Sequence, residues 1–276
     1  MGSLYLVERP KYSERRKKIV RILLDYRKNL KIGDYVEDEV VNAFIKNDEF
    51  AWFTFVLLSG NQNVERAWLF PYELSQRLEN NLSPRRVADL SLSKLDKIFG
   101  EIADAGYALR FRLTASASLL RAAEKIVGEY DGDVKRIWLD SSSPGELIRV
   151  FEEFYGIGQK KASMAVNMLI GLGWVKFPES RLSETEISND KHIRRIFLRT
   201  GLIDGLVKKD IITPVSDSEK LGKAIIEAAK FLNPRNPGAL DLPAWYIGRE
   251  YCFNIGPNCR RCVLKNVCAK NTSRTG

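Results

Sequence analysis

The chain has 276 residues, 45% of them hydrophobic and 29% charged. That is too long for a small disulfide-stapled scaffold and fits one large or two interleaved globular domains with a substantial core. No run of ~18 uncharged apolar residues occurs, which excludes a membrane-spanning helix, and Met1-Gly2-Ser3-Leu4 lacks the basic-then-apolar pattern of a secretion signal. The net charge of +9 sits at the two ends, with ten Lys/Arg against three acids between Glu8 and Lys31 and six against one from Arg249 onward. Basic ends of this kind suit a polyanion such as nucleic acid or an anionic membrane face, and a solvated helix face would carry them equally well.

Most segments have helical periodicity and few alternate as strands do. Ile19, Ile22, Leu23, Tyr26 and Leu30 recur at helical spacing behind Ser13. A more apolar helix is expected over 38–58, ending in Leu57-Leu58-Ser59-Gly60. Further helices are expected over 64–78, 92–105, 115–130, 144–155, 160–172, 192–200 and 218–232, with breaks at Asp131-Gly132, Pro178, Pro234 and Pro237-Gly238. No low-complexity tract or regular repeat interrupts them. The expected fold class is all-α.

Gly156-Ile157-Gly158 separates two of these helices. Alternate glycines let a turn take positive φ and bring backbone N–H groups to the surface. Backed by a positive helix N-terminus, such groups can hold a phosphate, and Lys160 and Lys161 follow at once. A plain helix–helix turn would have the same pattern. The four cysteines, Cys252, Cys259, Cys262 and Cys268, are spaced C-x6-C-x2-C-x5-C, with none elsewhere. A secreted disulfide framework spreads its cysteines, whereas thiols this close are the natural ligands of one metal site. Structural zinc and iron–sulfur both accept four thiolates, although zinc ribbons pair two C-x2-C knuckles and only Cys259 and Cys262 form one here. His192 is the only histidine, so a multi-histidine zinc site is excluded.

Three segments together resemble the endonuclease III-like DNA glycosylases of base-excision repair. Phe154-Tyr155-Gly156-Ile157-Gly158-Gln159-Lys160-Lys161-Ala162 resembles their helix-hairpin-helix. Asn189-Asp190-Lys191-His192-Ile193-Arg194-Arg195-Ile196 and the following Arg199-Thr200-Gly201 resemble the segment around their catalytic aspartate. The cysteine spacing, led by Trp245-Tyr246-Ile247-Gly248-Arg249, resembles that of their 4Fe-4S ligands. Softer matches are Leu57-Leu58-Ser59-Gly60-Asn61-Gln62 and Glu129-Tyr130-Asp131-Gly132-Asp133-Val134, so the likeness runs from about residue 45 to 270 in the family's order. It implies a six-helix barrel over 45–172, ending in the hairpin, and a helical iron–sulfur domain built from 1–44 and 173–276. Both basic ends fall in the second domain, where they would meet the phosphate backbone in a salt-sensitive way.

The resemblance also implies roles. A glycosylase extrudes the target nucleotide from the duplex into a pocket, which favours damaged or mispaired bases. Lys160 matches the nucleophile that attacks C1′, forms a Schiff base and permits β-elimination. An amine attacks only when neutral, so its surroundings must withdraw the proton. Without the family, Lys160 reads as a phosphate contact. Asp190 matches the carboxylate that stabilises the oxocarbenium-like sugar and assists proton transfer, and it is also placed to cap the helix that follows. His192 reads as a packing or hydrogen-bonding residue. The DNA-contacting set is Gly156, Gly158, Lys161, Arg260, Arg261 and Lys265. Asn61 and Gln62 join it as the residues that fill the gap left by the flipped base; a helix-end loop is their other reading. One departure stands out: the connection from Lys160 to Asp190 is longer than in the family, and 177–188 reads as an insertion placed to shape substrate choice.

The expected function is therefore excision of an oxidised or altered base from double-stranded DNA with abasic-site lyase activity, by a monomer carrying a 4Fe-4S cluster. The alternatives are a monofunctional mismatch-base glycosylase, which has no need of an amine at Lys160, and a hairpin-and-metal protein that only binds DNA. A cytoplasmic, nucleoid-associated location follows. The three glutamines beside abundant Lys, Arg and Glu lean towards a heat-adapted source.

Overall fold

The structure, a computed structural model, describes residues 13–33, 36–60, 63–203 and 215–270, without side chains for 215–218. The described residues form helices, turns and loops with no strand, in agreement with the all-α expectation. None of their helices is long and apolar enough to cross a membrane. The chain divides into two compact units, Met1–Leu30 with Phe177–Gly276, and Lys31–Lys176.

Helix α1 (Glu14–Arg27) opens the first unit, its N-terminus capped by the Ser13 hydroxyl accepting from Arg16 N–H. The Lys31–Lys176 unit follows. The helix expected over 38–58 is two, α2 (Glu39–Asn47) and α3 (Glu49–Leu58), because Asp48 is extended and its carboxylate accepts from Ala51 N–H at 2.7 Å. An aspartate in that conformation starts a new helix more readily than it continues an old one. Every residue of α3 from Phe50 to Leu58 is buried, which makes it the axis of this unit. Trp52 meets Trp138, Phe151 and Trp174 edge-on, Phe53 meets Phe151 and Phe154, and Phe55 meets Trp68. Large rings in such arrangements bury much apolar area with defined geometry.

Around that axis run α4 (Val64–Arg77), α5 (Pro84–Ala88), α6 (Leu92–Ile102), α7 (Arg112–Glu129), α8 (Arg136–Leu139), α9 (Pro144–Glu152) and α10 (Gln159–Leu172). Helices α4, α7 and α10 lie directly against α3. The short α5 and α8 escape the periodicity reading because neither completes two turns. Helix α6 stops earlier than expected and gives way to a wider turn, Ala103–Tyr107, in which Gly106 has φ +97°. Helix α7 begins earlier, after a left-handed Phe111.

Back in the first unit, α11 (Lys191–Thr200), α12 (Val215–Leu232) and α13 (Asp241–Glu250) pack with α1. Their core includes Ile19, Leu23, Ile193, Phe197, Ile225 and Ile247, extended by Leu264 and Val267 from the cysteine loop. Two arginines of α1 serve the fold: Arg15 donates to Thr200 O at 2.8 Å, and the buried Arg16 donates to Gly201 O at 2.9 Å. Both occupy carbonyls at the end of α11, where a cation also suits the helix dipole.

Candidate nucleic-acid site and cysteine loop

The hairpin is built as its glycines require. Ile157 N–H closes the turn on Phe154 O at 2.9 Å, and the Ile157 side chain is buried. Gly156 has φ +90°, and a Cβ there would stand 3.0 Å from Ser118 Oγ on α7, so both conformation and space call for glycine. Gly158 is extended and precedes α10 with no side-chain cap. The positive end of α10 therefore meets its surroundings through backbone N–H groups, the arrangement that binds phosphate. Beside the turn the half-exposed Tyr155 ring is covered by the Arg121 guanidinium at 4.5 Å.

Lys160 and Lys161 occupy the first turn of α10, both partly buried. Lys161 turns inward: its Nζ donates to Leu57 O at 2.5 Å and to Gly156 O at 2.8 Å. Burial, and then the neighbouring Lys160 charge, lower its pKa to about 8. The sequence groups Lys161 with the DNA-contacting residues; its ammonium is held by two carbonyls within the fold. Asn61 and Gln62 lie outside the described residues.

Asp190 precedes α11 and is only 5% exposed. Its Oδ1 accepts from His192 N–H at 2.8 Å, so the cap expected from the sequence is present. The segment before it is anchored by a partner the sequence does not reveal. The buried Asp241 at the start of α13 accepts from Ser188 N–H at 2.6 Å and from Ser188 Oγ at 3.2 Å, and Asp190 N–H donates to Ser188 O at 2.8 Å. The 177–188 segment forms a 3-10 turn over Glu179–Glu184. It is tied down through Thr185, whose Oγ1 accepts from Gly238 N–H at 2.9 Å, and through a 2.7 Å Lys230–Glu186 ion pair.

Helix α11 also carries the groups that hold the cysteine loop. Arg195 donates to Gly248 O at 2.6 Å and to Cys252 O, and its guanidinium meets His192 Nδ1 at 2.8 Å. Arg199 donates to Phe253 O at 2.5 Å, Asn254 O at 2.8 Å and Cys252 Sγ at 3.4 Å. Helices α11 and α13 approach so closely at Gly248 that a Cβ would lie 2.7 Å from His192 Cβ and 2.8 Å from its carbonyl oxygen. Burial lowers the pKa of His192, which sits edge-on to Trp245. That matches the packing and hydrogen-bonding part read for it.

All four cysteines are free thiols, partly buried. Leu264 N–H donates to Cys262 Sγ at 3.4 Å and Lys270 N–H to Cys268 Sγ at 3.3 Å. Burial, reinforced by Cys252, Cys268 and Cys259, pushes the Cys262 thiol up to about 11. Among the described residues no group of three or more His, Cys, Asp or Glu is gathered as ligands for a metal ion. The donor chemistry suits a soft metal or an iron–sulfur group: free thiols on one short loop, with backbone N–H and guanidinium donors aimed at sulfur. Arg260, Arg261 and Lys265, on the same loop, are exposed.

No protein-family model matches the chain, and no curated protein does. Solved structures do. A trapped covalent intermediate of endonuclease III with DNA, its estranged-adenine complex, aligns at TM-score 0.54 and 17% identity, covering 92% of this chain and 96% of that one. A thermostable thymine-DNA glycosylase aligns at TM-score 0.55 and 13% identity, covering 93% of this chain and 96% of that one. The chain thus has the endonuclease III-like helix-hairpin-helix glycosylase fold.

Proposed function

We propose that the chain is a base-excision repair DNA glycosylase with abasic-site lyase activity, acting on an oxidised or otherwise altered base in double-stranded DNA. The observation that carries this reading is the hairpin. A glycine turn exposes the uncapped N-terminus of α10 with Lys160 in its first turn, in a fold shared with structures of endonuclease III and a thymine-DNA glycosylase.

The hairpin N–H groups take a backbone phosphate, and the target nucleotide is extruded into the protein. The Lys160 amine adds to C1′ as the base departs with the electrons of the glycosidic bond. The added nitrogen sheds a proton and the C1′–O4′ bond opens with its electrons going to O4′, giving the Schiff base. This acidifies C2′, and loss of that proton with departure of the 3′ phosphate completes β-elimination. Asp190 supplies the negative charge that favours the cationic sugar, and its cap on α11 fixes that carboxylate. Cys252, Cys259, Cys262 and Cys268 would hold a 4Fe-4S cluster, whose contribution is to keep the loop rigid. Arg260, Arg261 and Lys265 then meet phosphates, and the chain acts as a monomer. The connection through 177–188 bears on which base is taken.

Duplexes each containing one oxidised pyrimidine, one oxidised purine or one mismatch test the reading. Free base released from at least one of them is expected. Binding without release from any would leave a DNA-binding protein and overturn the proposal.

A further inference from the structure

We infer that Lys161 is a positioning residue that clamps the glycine hairpin to the end of α3, rather than a contact to DNA phosphate. The inference deepens the proposed function and rests on the hairpin being the DNA site. Two carbonyls define the clamp. Leu57 O belongs to the last turn of α3, where carbonyls have no helical N–H partner, and Gly156 O belongs to the hairpin turn itself. A lysine ammonium has three donors and no acceptor, so one Nζ can serve both oxygens. The negative end of the α3 dipole favours a cation there. The two elements are 104 residues apart in the chain where they meet through this bond.

The glycine beneath the side chain is the second, independent observation. A Cβ on Gly60 would stand 2.8 Å from Lys161 Cε and 3.1 Å from its Nζ. Gly60 needs no positive φ, so what glycine supplies here is room for the lysine to reach Leu57. Leu57-Leu58-Ser59-Gly60 runs in sequence directly into Asn61-Gln62. The clamp therefore ties the turn that presents Lys160 to the segment leading into the residues read as gap fillers. A phosphate-contacting lysine would have its charge in solvent; this one is spent on two carbonyls.

The test combines Lys161→Ala, Gly60→Ala and the double variant. Duplex affinity is measured against salt, and borohydride trapping is followed on a duplex with one abasic site. For Lys161→Ala, the salt slope is expected to match the wild type, while trapping slows by roughly ten- to a hundredfold from misplacement of the hairpin. Loss of about one unit of salt slope would mark a phosphate contact and overturn the inference. Gly60→Ala should lower the melting temperature of the wild type and change little in the Lys161→Ala background, because the added methyl then occupies vacated space. Independent, additive shifts would also overturn the clamp. The melting cycle needs no catalysis, so a wild type that traps no abasic DNA would count against the lyase reading while the clamp is still judged.

Discussion

Replacing Lys161 with methionine removes a charge from a partly buried position and keeps a side chain of similar length. Burial and the Lys160 charge bring the Lys161 pKa from its ordinary 10.5 to about 8. Its charged form is therefore disfavoured in the folded protein, by about 3 kcal/mol for a difference of that size. The sign is opposite to that of a salt-bridged lysine. Below about pH 8 the amine is protonated in folded and unfolded chains alike, and the folded state bears the whole cost. Between about pH 8 and 10.5 the folded state has released the proton and the unfolded state still holds it, so stability rises with pH. By about pH 9.5 the wild type should have regained about 2 kcal/mol relative to Lys161→Met, the variant cancelling the titration of other groups. At roughly 2–4 °C per kcal/mol, the melting-temperature gap should move by about 4–8 °C in favour of the wild type between neutral pH and pH 9.5. Calorimetric melts of both proteins across that range provide the assay. A gap that stays flat would refute the burial argument, because the ammonium would then be fully compensated in the folded chain, whether by solvent or by the Leu57 and Gly156 carbonyls.

Asp190→Asn should keep the cap on α11, since asparagine and aspartate cap equally well, and melt close to the wild type while losing base excision. Asp190→Ala should lose excision and also about 1 kcal/mol of stability, read from denaturant unfolding; equal stability of the two variants would remove the capping role. Gly248→Ala drives a methyl against the His192 backbone and should cost about 2–3 kcal/mol, since a backbone neighbour cannot move aside as a side chain can. A melt unchanged by that substitution would show that α11 and α13 are not held at this spacing. Purified in air, the protein should be yellow-brown with absorbance near ~400 nm and about four irons per chain, with Cys252→Ser sharply reducing both. Zinc in place of iron would overturn the cluster assignment.

The features legible in the sequence are those set by local chemistry. Alternate glycines made the hairpin visible because the turn needs positive φ at Gly156, and the cysteine spacing and the Asp190 cap are likewise short-range patterns. The division of 38–58 at Asp48 was open to the same reasoning: an aspartate between apolar runs is an N-cap signal, overridden there by the continuous hydrophobicity of Phe50–Leu58. Long-range partners were not legible. Nothing near Ser188 in sequence points to Asp241, and nothing near Lys161 points to Leu57 O, because each pair is assembled by helix packing. The basic N-terminal run likewise gives a count of charges, whereas only the fold shows Arg15 and Arg16 holding the end of α11.

The proposed glycosylase and lyase chemistry depends above all on Lys160 as the nucleophile. The most direct measurement is borohydride trapping on a duplex with a single abasic site, comparing the wild type with Lys160→Ala. A covalent adduct is expected with the wild type and none with the variant. An adduct that survives the substitution would place the Schiff base on another amine, Lys161 first. No adduct with either protein would contradict the lyase assignment outright.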